Sequence, residues 1–291
     1  MGVIEINKLT KYYGKSLGII DIDLEIEKGE IFGFIGPNGA GKSTTIRTLL
    51  NLIYPTSGSA KIFGLDVVKD SKEIKKNIGF MPSEVNYYDY MRVRELLYYS
   101  ARFYGKNCDE RIDALSKMFS LDLNKKIYDL SFGNRKKISI LQSLIHKPKL
   151  LILDEPTSGL DPLMQAKYFE ILNEENARGT TIFFSSHVLN EVQKLCKRVA
   201  IIKDGRIIKV ENIENITGKQ FKKIKLDMKN IEQIKLLNTN EIYNMSNNEN
   251  ICNFLYSGDI NNILKEISNM ELNNLTIEEP TLEEIFMHYY Q

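Results

Sequence analysis

Glu30-Ile31-Phe32-Gly33-Phe34-Ile35 runs directly into Gly36-Pro37-Asn38-Gly39-Ala40-Gly41-Lys42-Ser43-Thr44, and this junction decides the fold. The first six residues read as a short apolar strand. The nine that follow fit GxxxxGK[ST], a loop whose glycines let backbone N–H groups turn inward around phosphates with no Cβ in the way. Lys42 would reach the β- and γ-phosphates, and Ser43 would offer its hydroxyl to a divalent cation. A helix opening near Ser43 would aim its positive dipole end at the same anion. A Gly-rich turn merely capped by Ser43 accounts for the residues less well, because strand, loop and helix occur in the order a phosphate site needs.

Working outward, residues 1 to about 85 alternate short apolar runs with turns and end in the strand-like Ile78-Gly79-Phe80-Met81. From about 86 to 147 the pattern is helical, with Leu96, Leu97, Leu115 and Met118 at helical spacing. Strands return at Leu150–Leu153, Thr181–Ser185 and Val199–Lys203. Alternating strands and helices predict a mainly parallel α/β sheet, with residues 86–147 as a helical insertion. After about residue 212 the composition shifts toward Asn, Lys and Ile. Lys223–Met228 alternates as a half-buried strand should, 241–246 and 251–257 read as strands, Asp259–Ser268 as a helix capped near Asp259, and Leu272–Glu278 as a last strand. That order predicts a small α+β domain over 213–291, in the manner of a split βαβ unit, behind a catalytic domain over 1–212.

Leu150-Leu151-Ile152-Leu153-Asp154-Glu155 is a buried strand ending in two carboxylates. Alternation along a strand would give them different jobs. Asp154 suits the shell of a Mg²⁺ ion, and Glu155 suits orienting or deprotonating an attacking water. Between this strand and the phosphate loop lies Leu130-Ser131-Phe132-Gly133-Asn134-Arg135-Lys136-Lys137, followed by a helix. Ser131 at that helix N-terminus could serve as a plain cap or could present its hydroxyl and free N–H groups to an anion.

The octapeptide resembles the LSGGQ signature of ABC ATPases. Ser131 and Gly133 match, while Phe132 and Asn134 replace Gly and Gln. Further positions of that family follow in order. Ser158-Gly159-Leu160-Asp161 resembles the D-loop, and His187 resembles the switch histidine that contacts the γ-phosphate. Tyr13 resembles the aromatic that stacks on adenine, with Tyr12 as its rival. One position departs: the glutamine expected after Pro82 is replaced by Ser83 and then Glu84. Ser83, through a water, would stand on the metal side, while Glu84 would face a membrane partner. Tyr87, Tyr88 and Tyr90 beside them would pack the insertion or form the aromatic part of that interface. The resemblance covers residues 1 to about 212. Glu279-Pro280-Thr281-Leu282-Glu283-Glu284-Ile285-Phe286-Met287 is similar to the tail of ATPase subunits of ABC-2 type exporters; a simple amphipathic helix explains the same residues.

The resemblance implies a P-loop NTPase of the ABC ATPase type that binds ATP with Mg²⁺ and hydrolyses it. It would power transport, in the export direction, through a membrane permease on a separate chain. Its expected place is the cytoplasmic face of the membrane, as an ATP-dependent homodimer or pair of ABC ATPases. Each site would take the phosphate loop of one chain and Ser131 of the other.

The remaining composition fits. Of 291 residues, 43% are hydrophobic and 26% charged, which is ordinary globular material. A net charge of +1 gives no sign of a nucleic-acid partner. Cys108, Cys196 and Cys252 show no ligand spacing, so zinc and disulfides are not expected. Met1–Thr10 lacks an apolar signal region, and no apolar run reaches the ~20 residues of a spanning helix. A ribosome-acting ABC ATPase would carry two cassettes, and a chromosome-scaffold ATPase would carry long heptad coiled coils. A nucleotide sensor without catalysis fits poorly with both Glu155 and His187 present.

Overall fold

The computed structural model describes residues 2–217, 221–237, 239, 241–280 and 284. The chain divides into two compact units, Met1–Val210 and Glu211–Gln291.

In the first unit, β1 (Ile4–Tyr13), β2 (Ser16–Ile26) and β3 (Ile31–Ile35) lead into α1 (Lys42–Leu49). Then come β4 (Ser57–Ile62), β5 (Leu65–Asp66), α2 (Ser71–Lys75) and β6 (Ile78–Met81). The helical stretch holds α3 (Val93–Arg102), α4 (Asp109–Met118) and α5 (Phe132–Leu144). The chain returns through β7 (Leu150–Asp154), α6 (Pro162–Ala177), β8 (Thr181–Ser186), α7 (Leu189–Leu195), β9 (Arg198–Lys203) and β10 (Arg206–Asn212).

The strands form two sheets. The central one has the order β10-β9-β3-β8-β7-β6, and β3 pairs in parallel with both β8 and β9, as β7 does with β6 and β8. Every residue of β3, β7 and β8 is buried, as strands covered on both faces must be. Each fully buried Leu, Ile or Phe there contributes about 1.5–3 kcal/mol.

The expectation of one mainly parallel sheet needs correction for the N-terminal part. β2-β1-β4-β5 is a separate antiparallel sheet. Along β2, Ile22, Leu24 and Ile26 are buried while Asp21, Asp23 and Glu25 are exposed. That period-2 pattern belongs to a sheet with one wet face, which antiparallel pairing permits.

Two close approaches set the site. Gly41, at φ 109°, caps α1, and a Cβ there would meet Ile19 Cγ2 at 2.8 Å. Gly79 on β6 lets α5 and the turn after it come near: a Cβ would meet the Ser143 carbonyl oxygen at 2.0 Å. α5 buries Lys136, Ser139, Ile140, Ser143 and Leu144, an i, i+3, i+4, i+7 stripe.

In the second unit, α8 (Ile213–Thr217) precedes β11 (Lys222–Met228), a 3₁₀ turn at Ile231–Leu236, β12 (Ile242–Asn248), β13 (Ile251–Tyr256), α9 (Ile260–Ile267) and β14 (Leu272–Glu278). The sheet order is β12-β13-β11-β14, with antiparallel neighbours. Asp259 caps α9 by accepting from the Asn261 N–H at 2.8 Å. Ile263 and Ile267 of α9 pack with Ile224, Leu226 and Phe254. Thr281–Glu283 and Ile285–Met287 of the exporter-like tail lie outside the described residues.

Candidate nucleotide site

At the C-terminal ends of β3, β7 and β8, in the first unit, a cleft of about 680 Å³ opens over the phosphate loop. Asn38, Gly39, Gly41, Lys42, Ser43 and Thr44 line it. The loop closes on itself through Lys42, whose Nζ donates to the Gly36 and Pro37 carbonyls at 2.7 and 3.1 Å. Ala40 ties the loop to the neighbouring turn, its carbonyl accepting from the Gly205 N–H at 3.0 Å. The α1 N-terminus, with its unpaired N–H groups, completes an anion-binding floor.

Glu155 stands opposite. Its carboxylate lies 3.1 Å from Lys42 Nζ through one oxygen and 3.3 Å from His187 Nδ1 through the other. Burial pushes the Glu155 carboxyl up. The hydrogen bond and charge of Lys42, with a smaller pull from His187, outweigh burial and hold it below the usual carboxylate range. β7 ends at Asp154, so the two acids are not parted by strand alternation as expected. Glu155 instead sits at φ 47°, where its N–H reaches the Ser185 carbonyl at 3.2 Å and Ser185 Oγ at 3.1 Å. This turn sends Glu155 toward the cleft and leaves Asp154 only 2% exposed, hydrogen-bonded from Ser185 Oγ at 2.7 Å.

The two tyrosines separate. Tyr13, 46% exposed, lines the cleft beside Gly18, and Lys11 Nζ lies 5.5 Å from its ring centroid. Tyr12 is exposed but does not line it. Ser83 and Glu84 both reach the cleft; Glu84 also lines an apolar groove of about 1060 Å³ with Phe80, Tyr88, Tyr99 and Phe103. Tyr88 and Tyr90 are exposed with ring centroids 6.1 Å apart, and Tyr87 is half-buried.

Ser131 and Gly133 do not line the cleft of their own chain. Ser131 caps α5, accepting from the Asn134 N–H at 3.4 Å. Phe132 projects from the same turn, 61% exposed, and its ring lies against Gly159. Asp161 caps α6, accepting from the Met164 N–H at 2.9 Å.

Two residues that sequence reasoning missed belong to this site. One is Ser185, which holds Asp154 and Glu155 together. The other is Lys136, 0% exposed, whose Nζ donates to the Ser83 carbonyl at 2.8 Å and to the Glu155 carbonyl at 3.4 Å. The sequence signal for Lys136 was a charge on the otherwise buried stripe of α5.

The donors fit a hard divalent cation. Ser43, which lines the cleft, and Asp154, which is buried and not among its lining residues, would supply a hydroxyl and a carboxylate, the oxygen ligands that Mg²⁺ prefers. The Ser185 hydrogen bond fixes Asp154 as an outer partner of such a site should.

Fold and cleft define a P-loop nucleoside-triphosphatase. Residues 19–158 match the family model described as ABC transporter. The chain is 31% identical to the bacitracin transport ATP-binding protein BcrA of Bacillus licheniformis, over 98% of this chain and 96% of that one. An ATP-binding subunit of an ABC transporter superposes with a TM-score of 0.70 at 29% identity, covering 74% of this chain and 91% of the other. A dimeric bacterial ABC transporter cassette, MJ0796, gives 0.67 at 26% identity over 72% and 98%. The chain belongs to the ABC transporter ATP-binding family. It is an ATP-binding, ATP-hydrolysing subunit that powers transport with a separate membrane permease. Among the described residues no helix is long and apolar enough to cross a membrane.

Proposed function

We propose that this subunit uses Mg-ATP to drive export. The observation that carries the chemical part is the single carboxylate of Glu155, held between Lys42 and His187 at the mouth of the phosphate loop. Lys42 and the loop N–H groups bind the β- and γ-phosphates, and Tyr13 offers a flat face to the base. Ser43 and Asp154 would hold Mg²⁺, and Ser83 would act on the metal side through a water. The metal, when bound, neutralises charge on the phosphates. Glu155 accepts the proton of the attacking water, and Lys42 and His187 beside it favour the ionised carboxylate that this requires. His187 keeps Glu155 oriented and stands at the γ-phosphate end.

A site built in one chain lacks the Ser131 hydroxyl, which caps α5 and does not line the cleft, although Phe132 beside it does. A second copy supplies it, so that two cassettes close on two ATP molecules. The apolar groove beside Glu84, with Tyr88, Tyr99 and Phe103 on its walls, receives a cytoplasmic helix of the permease. The subunit then lies on the inner face of the membrane, and residues 213–291 form an accessory domain. Support for export comes from the tail resemblance, and the match to a bacitracin transport protein supports the transport role.

The test is transport itself. The tagged subunit is purified from its native membrane with whatever membrane protein accompanies it and reconstituted into vesicles with the subunit outside. ATP-driven accumulation of a bacitracin-like peptide or a lipophilic cation inside the vesicles is expected. ATP-driven loss of cargo preloaded in those vesicles would mean import and contradict the proposal.

A further inference from the structure

We propose that Lys136 is a positioning residue for hydrolysis, setting the place of Glu155 and of the Ser83 segment relative to the bound nucleotide. The argument starts from cost. A lysine on the buried stripe of a helix loses its hydration, and burial pulls its ammonium below the usual range while Asp154 and Glu155 pull it back. An apolar residue would fill the same stripe without that cost. The ammonium instead reaches two backbone carbonyls from separate segments, Ser83 at 2.8 Å and Glu155 at 3.4 Å.

Glu155 is where such a hold matters. Its backbone φ of 47° lies in the left-handed region, which non-glycine residues adopt uncommonly and at a cost. Ser185 fixes the N–H side of that residue, and Lys136 fixes the carbonyl side. With both ends of the residue held, the carboxylate points between Lys42 and His187. The second carbonyl belongs to Ser83, so the same ammonium ties the cleft wall next to the apolar groove to the residue that handles water. Lys136 lies one turn into the helix that Ser131 caps, and it joins that helix to both segments.

This rests on Glu155 as the base. Lys136→Met removes the donors and keeps the length of the side chain; Lys136→Arg restores donors. Both are compared with wild type for ATP-binding stoichiometry, KM and kcat. Loss of a charged donor to two carbonyls is expected to lower kcat by roughly 10- to 100-fold. KM and stoichiometry stay within about twofold, and the arginine variant recovers most of the rate. In a Glu155→Gln background the same Lys136→Met change is expected to cost less than about twofold, because the group it positions is gone. Should Lys136→Met not fold, Lys136→Leu, which likewise has no donor, replaces it under the same criteria. The proposal is overturned if kcat survives at full binding stoichiometry, or if the loss is equally large in both backgrounds. Wild-type turnover by Glu155→Gln would sink the reading of Glu155 and this proposal with it. An intact Lys136→Met rate beside an inactive Glu155→Gln would sink the proposal alone.

Discussion

His146 closes the turn after α5 and is 1% exposed. Its Nε2 lies 3.0 Å from the Ile78 carbonyl, which can only accept, so Nε2 carries the proton. Nδ1 is buried and has no hydrogen-bond partner among the described residues. The ring stacks on Tyr104 with centroids 3.6 Å apart, and Lys106 Nζ donates to the His146 carbonyl at 3.1 Å. A proton added at Nδ1 would find no acceptor and would sit near a lysine. Burial pulls the imidazole pKa from 6.5 down to about 4, against a contrary pull from the Ile78 carbonyl. Above pH 6.5 both folded and unfolded chains keep this ring neutral, and its stabilisation is complete. As the pH falls from 6.5 to about 4, the unfolded chain binds a proton that the folded chain refuses, and stability drops. At ~1.4 kcal/mol per pH unit the interval amounts to about 3 kcal/mol. Urea unfolding of the wild type and of His146→Gln, each from pH 7.5 to 4, isolates this ring, because other titrating groups are shared. The wild type is expected to lose its advantage over the variant by about 3 kcal/mol across that range. Histidine NMR should show the His146 ring titrating near pH 4. A difference independent of pH, or a ring that titrates above 6.5, would refute the reasoning.

Other outcomes follow from the site. Ser185→Ala leaves Asp154 without its donor and should raise the Mg²⁺ needed for half-maximal turnover by about 10- to 100-fold; an unchanged Mg²⁺ titration would contradict the role given to Asp154. Ser83→Ala should slow basal hydrolysis about fivefold, the worth of one hydrogen bond, because its carbonyl contact with Lys136 survives. Glu84→Ala should leave the basal rate alone and lower only permease-coupled transport; a basal defect confined to Glu84→Ala would reverse the two assignments. Removal of residues 213–291 should keep nucleotide binding and weaken dimerisation or coupling, which calorimetry and sedimentation on a folded truncation would check. Loss of nucleotide affinity would show that the tail belongs to the site.

Local rules made part of this molecule legible in its sequence. β3, β7 and β8 are runs of apolar residues bounded by turns, and such runs announce strands covered on both faces. The phosphate loop carries its own spacing, and Asp259 its own cap. Pairing partners are not local, which is why the sheet of β1, β2, β4 and β5 was not separated from the central one. The alternation Ile22, Leu24, Ile26 against Asp21, Asp23, Glu25 did carry that information. The position of Glu155 was read from strand alternation, whereas a left-handed turn sets it. That conformation depends on Ser185 and Lys136, which sequence order keeps 30 and 19 residues away.

The central claim is that Glu155 activates water in a site completed by a second chain. Glu155→Gln keeps the shape of the side chain and removes the base. Sedimentation and phosphate release measured together on this variant at saturating Mg-ATP test the claim most directly. The account predicts a dimer holding two ATP molecules, with phosphate release slowed by roughly 10²–10⁴. A variant that turns over ATP at the wild-type rate, or that stays monomeric with Mg-ATP and permease both present, would contradict it.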